Sequence, residues 1–248
     1  MENYPERHAV SQAKWHLAQD CMARLGFTVA MPVSIPSTAY DEADMARRYG
    51  VMDPAQARTY GYHVPGIVNG APPPSQAPMS AAEQLALTGP GVSRPGAAPS
   101  AAARQVNGKA TPAGGCMGQA MAQLHADFDT SLPGMLDMES LPRAQAEPQV
   151  QAVLKAWSSC MAGKGYSVNS PFNANSLAPS SSGPSPSAQE IQVATADVGC
   201  KAKTNLVKVW FDAEAAIQQQ QIEQNNLALE RLRKNITAVV KAAASVSG

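Results

Sequence analysis

Apolar residues recur at three- and four-residue steps over residues 6–25. Val10, Ala13, Leu17, Cys21 and Leu25 fall on one side of a predicted helix that Gly26 is placed to stop. Met31–Thr38, with Pro32 and Pro36, reads as extended chain or loop. Two short helices are predicted next. One is Asp41–Tyr49, ending at Gly50. The other is Ala55–Tyr60, opened by Asp53 as N-cap with Pro54 at the first helical position and closed by Gly61. Ser80-Ala81-Ala82-Glu83 is a capping box whose helix stops at Gly89-Pro90. Gly70–Ala77 and Gly89–Gly114 are rich in Pro, Gly and Ala and hold few large apolar side chains, so both read as mobile connections.

A further helix starts near Gly115 and carries Cys116, Met117, Ala120, Met121 and Leu124. Thr130–Arg143 reads as irregular, and Glu147-Pro148 opens a helix carrying Val150, Val153, Leu154, Trp157, Cys160 and Met161. Asn169–Ser187 reads as a Ser/Pro/Asn linker, after which Ser187-Ala188-Gln189-Glu190 is a second capping box. From there to Val246 no proline occurs. The pattern predicts one helix of nearly 60 residues, about 90 Å long at 1.5 Å per residue, or two helices broken at Gly199. Leu206, Trp210, Ala213 and Ile217 form one stripe. After a five-residue jump to Ile222, a heptad rhythm runs through Asn225, Leu229, Leu232, Ile236, Val239, Ala243 and Val246. The expected fold is therefore all-α. Residues 1–135 form a first helical unit, and residues 136–248 form a second that ends in the long helix.

Composition changes how that core is pictured. Hydrophobic residues make up 44% of the 248, but 44 of them are alanine, and Leu, Ile, Val and Phe together number only 42. Such a chain buries a thin core concentrated in part of its length. Lys+Arg and Asp+Glu are 19 each, so there is no basic surplus to neutralise nucleic-acid phosphates and no nucleic-acid partner is expected. No apolar run approaches the roughly 18 residues of a membrane helix. The opening MENYPERHAV lacks the basic region and apolar stretch of a signal peptide.

Cysteine placement points outward. Cys21, Cys116, Cys160 and Cys200 lie far apart, without C-x-x-C or His at ligand spacing, which argues against structural zinc. In a thin-core chain they read as two disulfides formed in an oxidising compartment, the alternative being four reduced, buried thiols. A duplication selects among the three possible connectivities. Cys21-Met22-Ala23-Arg24-Leu25-Gly26-Phe27-Thr28-Val29 matches Cys160-Met161-Ala162-Gly163-Lys164-Gly165-Tyr166-Ser167-Val168 at five of nine positions. In each copy a helix carrying Cys-Met ends at Gly, and the following aromatic residue supplies the contact that accompanies such a cap. A later cysteine then opens another helix. The expected bonds are Cys21–Cys116 and Cys160–Cys200, closing loops of about 95 and 40 residues and contributing roughly 3–5 kcal/mol each.

The Cys-Met-x-x-x-Gly-aromatic pattern, Arg48-Tyr49-Gly50 with Asp53-Pro54-Ala55, Tyr60-Gly61-Tyr62, and Ala194-x-Ala196-Asp197-Val198-x-Cys200-Lys201 with Trp210 carry a resemblance. The chain resembles secreted, often lipid-anchored proteins of actinobacteria (Streptomyces-like) whose activity is uncharacterised. That resemblance implies export and an extracellular or cell-envelope site, and it brings no catalytic residues with it. Export in turn implies a leader upstream of Met1 and, through that leader, membrane anchoring.

Candidate chemistry is sparse. There is no Gly-x-Ser-x-Gly elbow, His-Glu-x-x-His or phosphate loop, so no catalytic residues and no cofactor are expected. His8 and His16 lie two turns apart on the first helix and read as solvent-exposed. Met117, Met121 and His125, at four-residue steps beside Cys116, are candidate soft ligands for Cu(I), the alternative being methionine filling an irregular core. Tyr49, Tyr60, Tyr62 and His63 with Arg47 and Arg48 either line a sugar or peptide surface or wrap onto the helices. Asn235-Ile236-Thr237 matches a glycosylation sequon, read as accidental in mid-helix. The expectation is a non-enzymatic exported protein. It binds a protein partner or a second copy through a C-terminal seam of Leu229, Leu232, Ile236 and Val239, or alternatively takes a small ligand or copper.

Overall fold

A computed structural model describes residues 6–30, 47–64, 78–89, 105–178 and 185–246. The described chain is mostly helical: α1 Arg7–Arg24, α2 Pro54–Tyr60, α3 Ala81–Thr88, α4 Gly115–Gln123, α5 Ser131–Ala146, α6 Pro148–Ala162, α7 Ala188–Thr204, α8 Leu206–Gln224 and α9 Asn226–Val246. A 3₁₀ helix covers Pro171–Leu177, and a two-stranded hairpin pairs β1 Gln105–Val106 with β2 Lys109–Ala110. Both expected disulfides are present, Cys21–Cys116 and Cys160–Cys200, with Cα separations of 5.5 and 5.7 Å.

The chain forms two compact units that exchange segments. The Cys21 unit comprises Met1–Val33, Pro74–Pro133 and Asn225–Gly248; the Cys160 unit comprises Ser34–Pro73 and Gly134–Gln224. The chain passes from one unit to the other at 33/34, 73/74, 133/134 and 224/225. Segment 47–64 packs with the later helices, and α9 packs with α1, because burial partners rather than chain order define a compact unit.

In the Cys21 unit, Ala18, Cys21, Met22 and Leu25 pack with Ala86, Leu87, Val106, Cys116 and Ala120. A second cluster joins Val10 and Ala13 of α1 to Leu124 and to Val239 and Ala243 of α9. The hairpin falls within Gly89–Gly114, expected to be mobile throughout; Asn107-Gly108, both at positive φ, make the tight turn that pairs the two strands and buries Val106. Gly70–Ala77, residues 90–104, and the Asp41–Ala46 part of the predicted helix lie outside the described residues. Arg47–Gly50 are not α-helical, so that helix does not continue to Tyr49.

In the Cys160 unit, Val150, Leu154, Trp157 and Met161 of α6 pack against Val193, Ala196 and Cys200 of α7 and Leu206, Trp210 and Ile217 of α8. Thr130–Arg143, expected to be irregular, is largely α5. Its prolines mislead: Pro133 sits in the first turn, where the missing N–H has no intrahelical partner to lose, and Pro142 is tolerated inside the helix between buried Ser140 and Ala144. The Asp129 carboxylate accepts the Ser131 N–H at 2.8 Å and starts the helix. The Asn169–Ser187 linker holds the 3₁₀ helix, capped by Ser170 and anchored by buried Pro171 and Ala174.

The two Cys-Met-Ala segments end alike. Phe27 N–H donates to Met22 O and Gly26 N–H to Ala23 O; Tyr166 N–H donates to Met161 O and Gly165 N–H to Ala162 O, each at 2.9–3.0 Å. This is the Schellman arrangement, and it requires the left-handed φ of +88° that Gly26 and Gly165 both adopt.

The predicted long helix is three helices, and its break is not at Gly199, which lies inside α7. Asn205 takes φ +53° and caps α7, because asparagine tolerates the left-handed region whereas a mid-helix glycine merely lacks a side chain. Asn225 alone separates α8 from α9.

Candidate functional site

The sequence elements that carry chemistry converge in the Cys160 unit on residues 47–64. Arg47 donates to the carbonyls of Tyr62 and His63, both at 2.8 Å, and so closes this segment upon itself. Asp53 caps α2 by accepting the N–H groups of Ala55 and Gln56. Val51 and Ala57 then bury against Ala194 and Val198 of α7.

Three polar attachments hold the segment to the helices. Arg48 donates to buried Glu214 through Nε at 2.9 Å and through a terminal nitrogen, and it also pairs with Asp137 at 3.0 Å. The Tyr49 and Ser140 hydroxyls donate to Glu214 as well, each at 2.7 Å. Burial by itself would raise the Glu214 carboxyl, but the hydrogen bonds from Arg48, Tyr49 and Ser140 outweigh it and hold the carboxyl below the usual range.

The second attachment is an ion pair within α7. Asp197 and Lys201, both essentially inaccessible, meet at 2.9 Å. Trp157 Nε1–H donates to Asp197 at 3.0 Å and the Tyr62 hydroxyl at 3.3 Å, while Lys201 Nζ also donates to the Val51 carbonyl at 2.9 Å. Burial sets the direction for both ends, pushing Asp197 up and Lys201 down.

The third attachment corrects the second predicted capping box. Ser187 accepts the Glu190 N–H at 3.1 Å, but the Glu190 carboxylate does not turn back to Ser187. It accepts the Tyr62 N–H at 2.8 Å and pairs with His63 Nδ1 at 2.7 Å. The approach is close enough that a Cβ on Gly61, at φ +56°, would sit 2.7 Å from the carboxylate. The Tyr/Arg/His cluster is thus a wrapped segment: Tyr49 is buried against Trp210 with ring centroids 5.3 Å apart, and Tyr62 reaches Asp197.

These buried groups use their hydrogen bonds on the protein itself. What opens to solvent is a groove beside them, about 650 Å³ in volume, lined by Tyr49, Met52 and Pro54 of the wrapped segment, Val198, Lys201 and Ala202 of α7 with its cap Asn205, and Val207, Lys208 and Phe211 of α8. Residues 198, 201, 202 and 205 are one stripe along α7, and the break at Asn205 brings the first turns of α8 alongside it. Phe211 is 53% exposed on the wall. The groove lies within the size range of small-molecule sites and has their character, an apolar wall with few polar groups.

The other sequence candidates are placed differently. α4 ends at Gln123 and His125 takes φ +55° beyond it, so His125 leaves the helical face shared by Met117 and Met121; Met117 packs against the Cys116 cluster, while Met121 and His125 are exposed. Among the described residues no group of three His, Cys, Asp or Glu side chains is arranged to hold a metal ion. In the seam, Leu232 and Val239 are buried, Val239 with Val10 and Ala13, whereas Leu229 and Ile236 are half-buried. His8 and His16 are exposed as expected.

The groove and Glu214 were not singled out from sequence. The available signal was Asp197 and Lys201 four residues apart on a helix face otherwise made of Ala194 and Val198. Among the described residues no helix is long and apolar enough to cross a membrane. The two disulfides are the product of an oxidising environment, as found outside the cytoplasm. No protein-family model matches the chain, and no curated protein or solved structure is found to be similar to it.

Proposed function

We propose that this protein is a non-enzymatic binding protein, exported to the cell envelope or beyond, that takes a small apolar ligand in the groove between α7, α8 and the 47–64 segment. The observation that carries the reading is the groove itself: about 650 Å³, with Phe211 exposed on a frame fastened by Cys160–Cys200 and three buried polar attachments. A rigid wall matters because a site that is already formed loses little ordering entropy on binding. The resemblance to secreted actinobacterial proteins supports the same location, and the commitment of Glu190, Asp197, Lys201 and Glu214 to internal partners supports a non-catalytic role.

Titration with the neutral dye Nile red tests this. Saturable fluorescence enhancement at one site is expected, and Ala202→Trp, which fills the groove from an exposed position, abolishes it without moving the urea midpoint. A signal that never saturates, or one unchanged in that variant, overturns the reading. A second reading puts a protein partner on α9, favoured by Leu227 at 72% exposure beside half-buried Leu229 and Ile236. It requires an assembly in solution, and a chain that sediments alone at high concentration and captures nothing on that face contradicts it.

A further inference from the structure

We infer that the outward face of α9 docks on an anionic lipid bilayer. The inference concerns the Cys21 unit alone and is independent of the groove.

Two observations carry it. The first is a row of exposed side chains. Leu227, Arg231, Lys234, Ala238, Lys241 and Ser245 recur at alternating four- and three-residue steps, so they stand in line along one side of the helix, and all six are exposed. The opposite side carries buried Leu232, Val239 and Ala243, of which Val239 and Ala243 cluster with Val10 and Ala13 of α1. Packing has thus used the apolar side of α9 and left the row facing water. The second observation is charge. Asn226–Val246 holds four cations, Arg231, Arg233, Lys234 and Lys241, against one anion, Glu230, a net charge of +3. The whole chain, with 19 basic and 19 acidic residues, has none. Among the described residues no hydrogen bond or ion pair engages the side chains of these four cations. Even Glu230 and Lys234, four residues apart, form no pair of the kind that joins Lys208 to Asp212 on α8.

Like charges in a row repel one another, and an anionic surface relieves that repulsion. A straight row meets a plane with all its cations together, each worth about fivefold in affinity for an anionic membrane. Leu227, 72% exposed at the head of the row, selects a bilayer over a soluble polyanion. It can enter the headgroup region and leave water there, whereas a linear polyanion offers it no apolar contact. Because the apolar side of α9 is already spent on α1, the contact is peripheral, reversible and governed by salt.

Cosedimentation of the full chain with large unilamellar vesicles tests this. The protein is expected to pellet with phosphatidylcholine vesicles containing about one third phosphatidylglycerol, not with phosphatidylcholine alone, and to be released by about 0.5 M NaCl. Arg231→Gln, Lys234→Gln and Lys241→Gln together should lower the affinity about 100-fold with the urea midpoint unchanged, since all three side chains are exposed. Lys234→Arg with Lys241→Arg, which keeps the charge, should bind as the native chain does. Failure to bind the anionic vesicles overturns the inference and leaves the row a solvated surface. So does equal binding to both kinds of vesicle, or binding unchanged in the triple variant. Capture by soluble polyphosphate without vesicle binding replaces the bilayer by a polyanion. Should the triple variant unfold, Arg231→Gln and Lys241→Gln must each singly weaken vesicle binding about fivefold; no effect from either overturns the role of the row.

Discussion

Glu214 concentrates more of the polar wiring of the Cys160 unit than any neighbouring side chain, accepting from Arg48, Tyr49 and Ser140 at a buried position. Glu214→Gln removes the charge that compensates Arg48 and adds an amide where only acceptors fit. Breaking one end of a buried pair costs about 3–5 kcal/mol, although the partial compensation of Arg48 by Asp137 places this case near the lower end. The pH dependence has a definite sign. The folded carboxyl lies below the ordinary glutamate value of about 4.3, so its contribution is fully present above that value and is lost as pH falls through the folded one. Urea midpoints of the native protein and the Gln variant should therefore differ most near neutral pH and converge in acid below about pH 4. A gap that stays constant down to pH 3 would exclude this linkage.

At the scale of elements, caps explain where helices begin and end better than periodicity does. Ser80 with Glu83 forms a full capping box and opens α3 as expected. The same pattern at Ser187 and Glu190 opens α7, yet its glutamate is taken by Tyr62 and His63, because a closer tertiary donor outcompetes the local one. Asn205 is the element-scale determinant of the groove. Asn205→Val places a β-branched residue at φ +53° and should cost about 1–2 kcal/mol, whereas Asn205→Gly should be close to neutral. Chemical denaturation of both variants checks the contrast, and equal effects would mean that the left-handed conformation is not what the position requires. The duplicated segments share one bond that no motif announces: Gln19 donates to the Val29 carbonyl and Ser158 to the Val168 carbonyl, each across ten residues.

For the whole molecule, the disulfides compensate for a core short of large aliphatic residues. Cys160–Cys200 spans 40 residues and Cys21–Cys116 spans 95, for which the chain-entropy model gives about 4 and about 5 kcal/mol. Replacing Cys160 and Cys200 together by alanine should raise hydrogen exchange first in α6 and α7, while α1 and α4, tied by the other bond, respond less. Equal acceleration in all four helices would show that the chain opens as a single unit.

Helix positions, most of their stops, and the disulfide pairing were determined by the sequence itself. The helix signals depend on residues within a few positions of one another: an N-cap and its third residue, a glycine after Cys-Met-Ala, a period of 3.6, whereas the pairing is legible through the duplication of residues 21–29 at 160–168. Local signals misled where prolines stood in α5 and where a glycine stood in α7, since those residues lower helix propensity without forbidding a helix that packing supports. The candidate groove and its frame were decided only by the tertiary structure. Arg48 meets Glu214 across 166 positions, Tyr62 meets Asp197 across 135, and Lys201 meets the Val51 carbonyl across 150. No local pattern encodes those partners. Burial creates them, by withdrawing each charge from water and leaving it stable only beside the complementary group that the fold delivers.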